Sequence, residues 1–436
     1  MWPFRKTDAY DIRSSQAYWL LRNGIGDAGP ELHQSMDCDV AIIGAGITGA
    51  LVADALAGTG ARVVMLEQRA PAQGSTAAST ALLQYENDTP LVDLMEMRGA
   101  EIATQAYLAS VQAFAMLEAR FPELLAQCDY QRRESLYLAS GERAVGPMHA
   151  ELAARRAIGI HVDWLDESEL RRRYDCARPG ALLSPLAATM DPVRFTRGVL
   201  SACVRHGVEI YARTEVASID EESDRLKLRT TSGHEIRAHH VVVAAGYEST
   251  RFAPAVADID NTFALVTEPL HDAQAAARLP QIWESARPYL YLRGTRDGRI
   301  LLGGADLPFK NAVARDLLLA RQVRKLARGY EDLFGRELPP IAYSWAGSFA
   351  KTADGLPLIG AVPGRNPRLQ FAMCYGGNGI VFAVHAGAMI RAGIEGASHP
   401  LAGTFGFGRL GAELEAGREG GNTAKPHQVV SGTARS

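Results

Sequence analysis

The sequence predicts an α/β protein made of two interleaved units: a doubly wound parallel sheet, and an α+β unit built on a mainly antiparallel sheet. Three observations carry this prediction. A strand–turn–helix–strand pattern with a glycine-rich turn fills Val40 to Glu67. Glycine-punctuated strand and helix runs of the same character return near residue 190 and again near residue 341. Between these returns lie stretches with a different pattern, rich in long helical periods and short alternating strands.

The first unit opens with the apolar run Val40 to Ile43, which breaks at Gly44. Gly44, Gly46 and Gly49 fall on the G-x-G-x-x-G spacing, with Ile47 and Thr48 between the last two. The first glycine permits a tight turn, the second lets backbone N–H groups approach a pyrophosphate, and the third lets the helix pack closely on the strand. A helix N-terminus favours an anion through its free N–H groups and dipole. A second apolar run, Val63 to Leu66, ends on Glu67, placed to accept hydrogen bonds from ribose hydroxyls. A lone glycine triplet is weak evidence, but flanking strands and a terminal acid make this a dinucleotide-binding, Rossmann-like unit.

After Glu67 comes a run rich in small and hydroxyl side chains that includes Ser75, Thr76, Ser79 and Thr80, then Leu82 and Leu83. It reads as a segment laid along a long cofactor or as a helix start capped by Ser75 or Thr76, and both can hold. Helical spacing from Thr104 to Gln127 is interrupted at Pro122. A half-buried strand and a helix near 147–157 follow, then a helix opened by an Asp166–Glu169 capping box. At Met190-Asp191-Pro192 the pattern changes back. A helix from Val193 to His206 leads to strands, a hairpin at Ser232-Gly233, and the buried run His240 to Ala245, closed by Gly246. Residues 261–340 depart again, with strands, a turn at Asp297-Gly298 and a helix from Ala312 to Phe334. The expected organisation is an N-terminal extension (1–36), a cofactor domain (37–103, 190–260 and 341–403), a second domain (104–189 and 261–340) and a disordered tail (404–436).

At 436 residues the chain exceeds one ordinary domain. With 47% hydrophobic and 22% charged residues it has the composition of a soluble globular protein. Its formal net charge of −3 gives no footprint for nucleic acid. The five cysteines (Cys38, Cys128, Cys176, Cys203, Cys374) show no C-x-x-C and no neighbouring histidine, which argues against a disulfide framework or a metal site. The apolar stretches 40–57 and 371–394 carry glycines and ionisable residues, so they read as buried strand–helix units and not membrane spans. With no apolar region at the start, the expectation is a cytoplasmic protein.

Five motifs in order resemble the FAD-dependent D-amino-acid-oxidase family, which includes glycine oxidase, sarcosine oxidase and glutamylputrescine-oxidase-like enzymes. They are G-A-G-I-T-G at 44–49 with Glu67, G-S-T-A-A-S-T at 74–80, M-D-P at 190–192, V-V-V-A-A-G at 241–246, and T-A-D-G-L-P-L-I-G at 352–360 followed by G-G-N-G-I at 376–380. The resemblance spans roughly 37–400 and implies a non-covalent FAD. Gln68, Arg69 and the segment Ser75 to Leu83 would lie along it; Val216 would meet the adenine, and Ala245 and Gly246 the nucleotide half. Gly376, Gly377, Asn378, Gly379 and Ile380 would face the flavin at a helix start. It also implies hydride removal from a carbon next to nitrogen in an amine, N-substituted or D-amino acid, with the imine then hydrolysing and oxygen or another carrier accepting electrons. A 2-hydroxy acid oxidoreductase, which would need a base such as histidine, and a non-catalytic flavin-binding protein are the alternatives.

One departure stands out: Phe349 occupies the position where glycine-oxidase-like members carry the arginine that clamps a substrate carboxylate. Lys351, two residues on, is either a weaker point charge in place of that clamp, or a help to oxygen reacting with reduced flavin, or a solvated lysine at a strand end. Tyr289 and Tyr291 share a strand face and are pocket wall or core. His161, His206 and His385 read as structural or exposed, and Cys374 as a small buried residue.

Overall fold

Residues 13–14, 16–254, 256–309, 311–373, 376–411 and 413–414 are described by the structure, a computed structural model. The sheet carrying the glycine-rich turn has eight strands. Its main path runs Leu358–Ala361, Leu369–Met373, Glu235–Val243, Met36–Ile43, Val63–Leu66 and Glu209–Tyr211. The last five are parallel to one another, and Leu358–Ala361 is antiparallel to its neighbour. Val63–Leu66 is buried throughout, as a parallel strand covered on both faces must be. The expected hairpin joins Leu226–Thr230 to Glu235–Val243.

Two helices from opposite ends of the chain, Ile47–Leu56 and Gly379–Ile394, cross closely on this sheet. Gly387 permits the approach, since a Cβ there would lie 2.6 Å from the Leu51 carbonyl oxygen. The apolar stretches 40–57 and 371–394 are thus strand–helix units, and among the described residues no helix is long and apolar enough to cross a membrane.

The larger sheet has ten strands, in the order Arg13–Ser14, Ile341–Lys351, Asp258–Thr267, Ile300–Leu307, Leu290–Gly294, Gln281–Glu284, Gln131–Leu138, Gly180–Thr189 and Leu82–Gln84, with Asp163–Asp166 beside Gly180–Thr189. It is mixed: Gln281–Glu284 runs parallel to Gln131–Leu138, while its other pairings are antiparallel. Leu82–Gln84 and Ile341–Lys351, grouped by sequence with the parallel sheet, are hydrogen-bonded into this one. Both are places where the chain passes between sheets, and glycine punctuation there looks the same on either side.

Helix limits follow local chemistry. Phe121-Pro122 divides Ala100–Arg120 from Pro122–Gln127, because proline cannot donate to the preceding turn. Asp166 and Glu169 make the reciprocal capping box that starts Glu167–Tyr174. In the M-D-P motif, Asp191 caps Pro192–Arg205 by accepting from the Val193 and Arg194 N–H groups.

Segments near both ends of the described residues are tied in more than their composition suggests. Tyr18, Trp19 and Leu20 of the N-terminal extension are buried in the core. Beyond Thr404, where disorder was expected, Phe407–Leu410 forms a short 3-10 helix and Arg409 is fully buried. The Arg409 guanidinium donates to both Asp354 oxygens (2.9 and 3.2 Å) and to the Leu356 and Pro357 carbonyls. Arg98 adds a third charged contact at 2.8 Å. Burial works against ionisation of Asp354, but Arg409, the Leu356 N–H and Arg98 together hold its carboxyl down at about 2. The polar run after Glu413 concealed the F-G-F-G-R-L stretch just before it; residues 415–436 lie outside the described residues.

Candidate cofactor cleft and adjoining pocket

A cleft enclosing about 1100 Å³ opens where the parallel strands end. The starts of the two crossing helices face into it, through Gly46, Ile47 and Thr48 on one side and Gly379 and Ile380 on the other. Gly44 has φ +107°, and a Cβ there would stand 2.6 Å from the Ala244 carbonyl oxygen. Gly49 does not line the cleft: its Cβ would fall 2.0 Å from the Gly44 oxygen, so its bareness serves helix–strand packing. Glu67 lines the cleft, buried, and accepts from the Ala45 N–H at 2.9 Å and the Arg69 N–H at 2.8 Å. Burial raises its carboxyl above the ordinary value, against the pull of those two N–H groups. Its first task is therefore to hold the glycine turn. Gln68 and Arg69 also line the cleft, and both bind Glu248. Val216, Ala245 and Gly246 also line the cleft.

The segment from Ser75 to Thr80 forms the wall between this cleft and a second cavity. Thr76 is buried and its hydroxyl accepts from the Ile47 N–H at 3.0 Å, so the residue closes the first helical turn as well as lining the cleft. Three buried donors from distant parts of the chain hold successive carbonyls of this wall. Trp345 Nε1 donates to Ala78 O (2.9 Å), Trp19 Nε1 to Ser79 O (2.7 Å) and Arg293 Nε to Thr80 O (2.7 Å). Arg293 also donates to the Met190 carbonyl, and burial lowers its guanidinium to about 10. The sequence reading missed all three. Their only signal is a tryptophan or arginine within an apolar strand or helix.

The second cavity, about 820 Å³, shares Ser75, Ser79, Tyr247, Gly376 and Gly377 with the first. Tyr289, Tyr291 and Phe349 line it, as do Thr80 and Leu82. Gly303 makes room for Tyr291, whose ring occupies the space a Cβ would take. Trp283 and Tyr247 extend the aromatic lining, and the Trp283 indole N–H finds no acceptor among the described residues. Burial pushes the Tyr247 hydroxyl up to about 12 and raises those of Tyr289 and Tyr291, so all three remain neutral donors.

Two carboxylates that sequence did not single out face this cavity. Asp88 Oδ2 accepts from the Gly377 N–H at 2.7 Å, and Oδ1 from the Tyr289 hydroxyl at 3.3 Å. A Cβ on Gly376 or Gly377 would come within 2.7 Å of an Asp88 oxygen, which explains that glycine pair. Asp306 Oδ1 is shut off from solvent and accepts no hydrogen bond from the described residues. Burial, with Asp88 and Asp260 nearby, raises the Asp306 carboxyl to about 6, although Thr262 and Lys351 pull it down. Asp88 lies a few residues beyond the hydroxyl-rich run and Asp306 is next to last in the strand that closes L-L-G-G-A-D-L; nothing local marks either.

The remaining expected residues sit elsewhere. Leu83 is fully buried and lines neither cavity. Asn378 lines the pocket, but its amide is spent on the Gln84 and Glu86 carbonyls, anchoring the glycine loop to Leu82–Gln84. Lys351 is half exposed, pairs with Asp260 and lines neither cavity. His385 is buried against the Ala109 carbonyl, His161 and His206 are exposed, and Cys374 lies outside the described residues.

These residues fit an FAD. A cleft with two helix starts can hold a pyrophosphate at one and the flavin at the other, and bare backbone at Gly46 lets the phosphates approach. Among the described residues no group of acids, histidines and cysteines could hold a metal.

Comparison with known proteins agrees with this geometry. Residues 39–392 match the family described as FAD dependent oxidoreductase. Gamma-glutamylputrescine oxidoreductase of Escherichia coli (strain K12) is 25% identical over 84% of this chain and 85% of its own length. Glycine oxidase of Geobacillus kaustophilus (strain HTA426) is 25% identical over 82% of this chain and 93% of its own. The crystal structure of glycine oxidase from Geobacillus kaustophilus superposes with a TM-score of 0.69, covering 84% of this chain and 98% of that one at 22% identity, and so shares the fold.

Proposed function

The chain belongs to the family of FAD-dependent oxidoreductases, and from that premise we propose that it oxidises the carbon–nitrogen bond of an amine or amino acid. Bound FAD supplies the acceptor for a hydride leaving the substrate carbon next to nitrogen. The protein's part is to bind, orient and keep water out. Backbone N–H groups at Gly46 to Thr48 would hold the pyrophosphate, and those at Gly379 and Ile380 would favour negative charge at the reactive end. Glu67, fixed by Ala45 and Arg69, would turn its remaining lone pairs to the adenosine ribose.

The observation that carries the reading is the continuity of the two cavities at Gly376 and Gly377, which puts an aromatic chamber against the end of a dinucleotide-sized cleft. A neutral amine needs no general base for this step, because its own lone pair drives it. Neither cavity has a histidine among its described lining residues, which favours an amine over a 2-hydroxy acid. FAD is held without a covalent bond, the protein works in the cytoplasm, and oxygen or another carrier takes the electrons. Purified protein is expected to show a flavin spectrum that bleaches anaerobically when an amine is added, and the flavin should be released by acid precipitation. A colourless protein that cannot be loaded with FAD would sink the reading.

A further inference from the structure

We infer that the pocket is built for an amine substrate carrying a second positive charge, and that it turns away free carboxylates. The inference rests on the amine-oxidation reading and narrows it. The pocket's charged lining residues, among those described, are Asp88 and Asp306; no arginine, lysine or histidine lines it. The Arg287 guanidinium is exposed; it stacks 4.8 Å from the Tyr289 ring and donates to the Asp88 backbone carbonyl.

Two independent features point to a cation. One is the free acceptor. Asp88 is already bonded to Gly377 and Tyr289, whereas Asp306 Oδ1 is buried and accepts no hydrogen bond from the described residues, an arrangement that costs free energy until a donor arrives. The other is aromatic. Tyr289 stands 5.7 Å from Tyr291 and 6.4 Å from Trp283, centroid to centroid, so three packed ring systems line the same cavity as Asp306. Ring faces attract ammonium groups, most strongly when water is excluded. A carboxylate placed there would meet two lining acids, while Arg287 and Lys351 lie outside the lining, engaged with the Asp88 carbonyl and with Asp260. One ammonium end can thus rest between Asp306 and the rings while the other end, neutral, faces the cofactor cleft.

The test uses flavin-loaded protein and equilibrium binding, followed by calorimetry under anaerobic conditions. Choline and 3,3-dimethylbutan-1-ol share a shape and differ by one charge, so they report on the charge alone. Choline is expected to bind roughly tenfold tighter or better, acetate not at all, and Asp306→Asn to weaken choline by roughly tenfold to a hundredfold while leaving the alcohol unchanged. Equal binding of choline and the alcohol to the unaltered protein, or tighter binding of acetate, overturns the inference without recourse to any variant. Anaerobic bleaching by butylamine, 1,4-diaminobutane and alanine separates the two claims. Bleaching by amines with no preference for the diamine defeats the second charge and keeps amine oxidation. Choline binding with no bleaching by any amine defeats the oxidation reading and leaves the cation site standing.

Discussion

The cofactor cleft and the adjoining pocket meet at Gly376 and Gly377, yet they are made of different material. The cleft is walled by glycines, helix starts and strand ends, so what it offers a ligand is chiefly backbone. The pocket is walled by side chains drawn from four strands of the larger sheet or their ends: Trp283 from one, Tyr289 and Tyr291 from the next, Asp306 and Phe349 from two more. Backbone recognition needs particular glycines at particular spacings, because a Cβ would occupy the ligand's or a neighbour's place. Side-chain recognition needs only that some residue of suitable chemistry point inward. The first kind of site tolerates little substitution, and the second can be retuned one residue at a time.

The largest expected effect lies outside both cavities, and it tests whether they share a foundation. Asp354 is buried among Arg409, Arg98 and the Leu356 N–H, in the loop whose Gly355 packs against Thr89, next to Asp88. Arg409→Ala leaves a buried carboxylate short of its main partner. It should cost about 3–5 kcal/mol of stability in urea unfolding. Asp354 contributes stability above its unfolded value of 3.8 that is lost as pH falls through about 2, so the cost should be seen at neutral pH and fade in acid. An unchanged unfolding midpoint would mean that the C-terminal segment is not part of the folded unit.

A smaller effect should separate the cavities. Gly49→Ala pushes a methyl to 2.0 Å from the Gly44 oxygen, and overpacking of this kind costs about 1–3 kcal/mol. Flavin content per protein should fall sharply, read from absorbance after purification. Gly46→Ala meets only the Thr76 hydroxyl, at 3.2 Å, so its thermal midpoint should stay near that of the parent while flavin affinity drops. Equal melting losses for the two variants would break the distinction between a packing glycine and a ligand glycine.

The same contrast explains what could be read in advance. Gly44, Gly46, Gly49 and Glu67 were legible because turn geometry and strand–helix spacing are local properties of the chain. So were the capping box at Asp166 and the break at Pro122. Asp88 and Asp306 were not, because nothing local distinguishes an acid facing a cavity from one facing water. Trp19, Trp345 and Arg293 were also hidden: their function is to hold three consecutive carbonyls of a segment 50 or more residues away, and that relation exists only in the fold. Lys351 had two readings, and its place fits the solvated strand end. Its nearness in sequence to Phe349 suggested a shared role, but one residue faces the pocket while the other pairs with Asp260 at the edge.

Acidity should affect the pocket through Asp306, and the cleft through Glu67, whose carboxyl burial also raises. Asp306 titrates near 6, with Asp88, Asp260, Lys351, Thr262, Tyr289 and Tyr291 around it. A carboxyl raised from 3.8 is neutral at lower pH, so choline affinity should weaken up to about tenfold per pH unit below 6. The sign for stability is the reverse. The group's favourable contribution is complete below about 3.8 and is lost as pH rises through 6, so Asp306→Asn should flatten that part of the melting profile. Flavin binding, which uses backbone N–H groups and Glu67, should not follow the Asp306 curve. A flavin affinity that tracks the Asp306 transition would show the two cavities to be coupled.

The smallest effect probes the seam between them. Tyr289 donates to Asp88 Oδ1 at 3.3 Å, and Asp88 in turn holds the Gly377 N–H at 2.7 Å. Tyr289→Phe removes the first bond and keeps the ring, so the pocket's aromatic wall survives. The net loss should be about 0.5–1.5 kcal/mol, close to the value of one neutral hydrogen bond. Because Asp88 keeps its bond to Gly377, the glycine loop should hold and flavin content should remain at the parent level. What changes is the availability of Asp88: with one oxygen released, the pocket gains an acceptor and choline should bind slightly tighter. If choline instead binds more weakly by tenfold or more, the tyrosine hydroxyl contacts the ligand itself, and the boundary between structural support and recognition lies on the other side of Asp88.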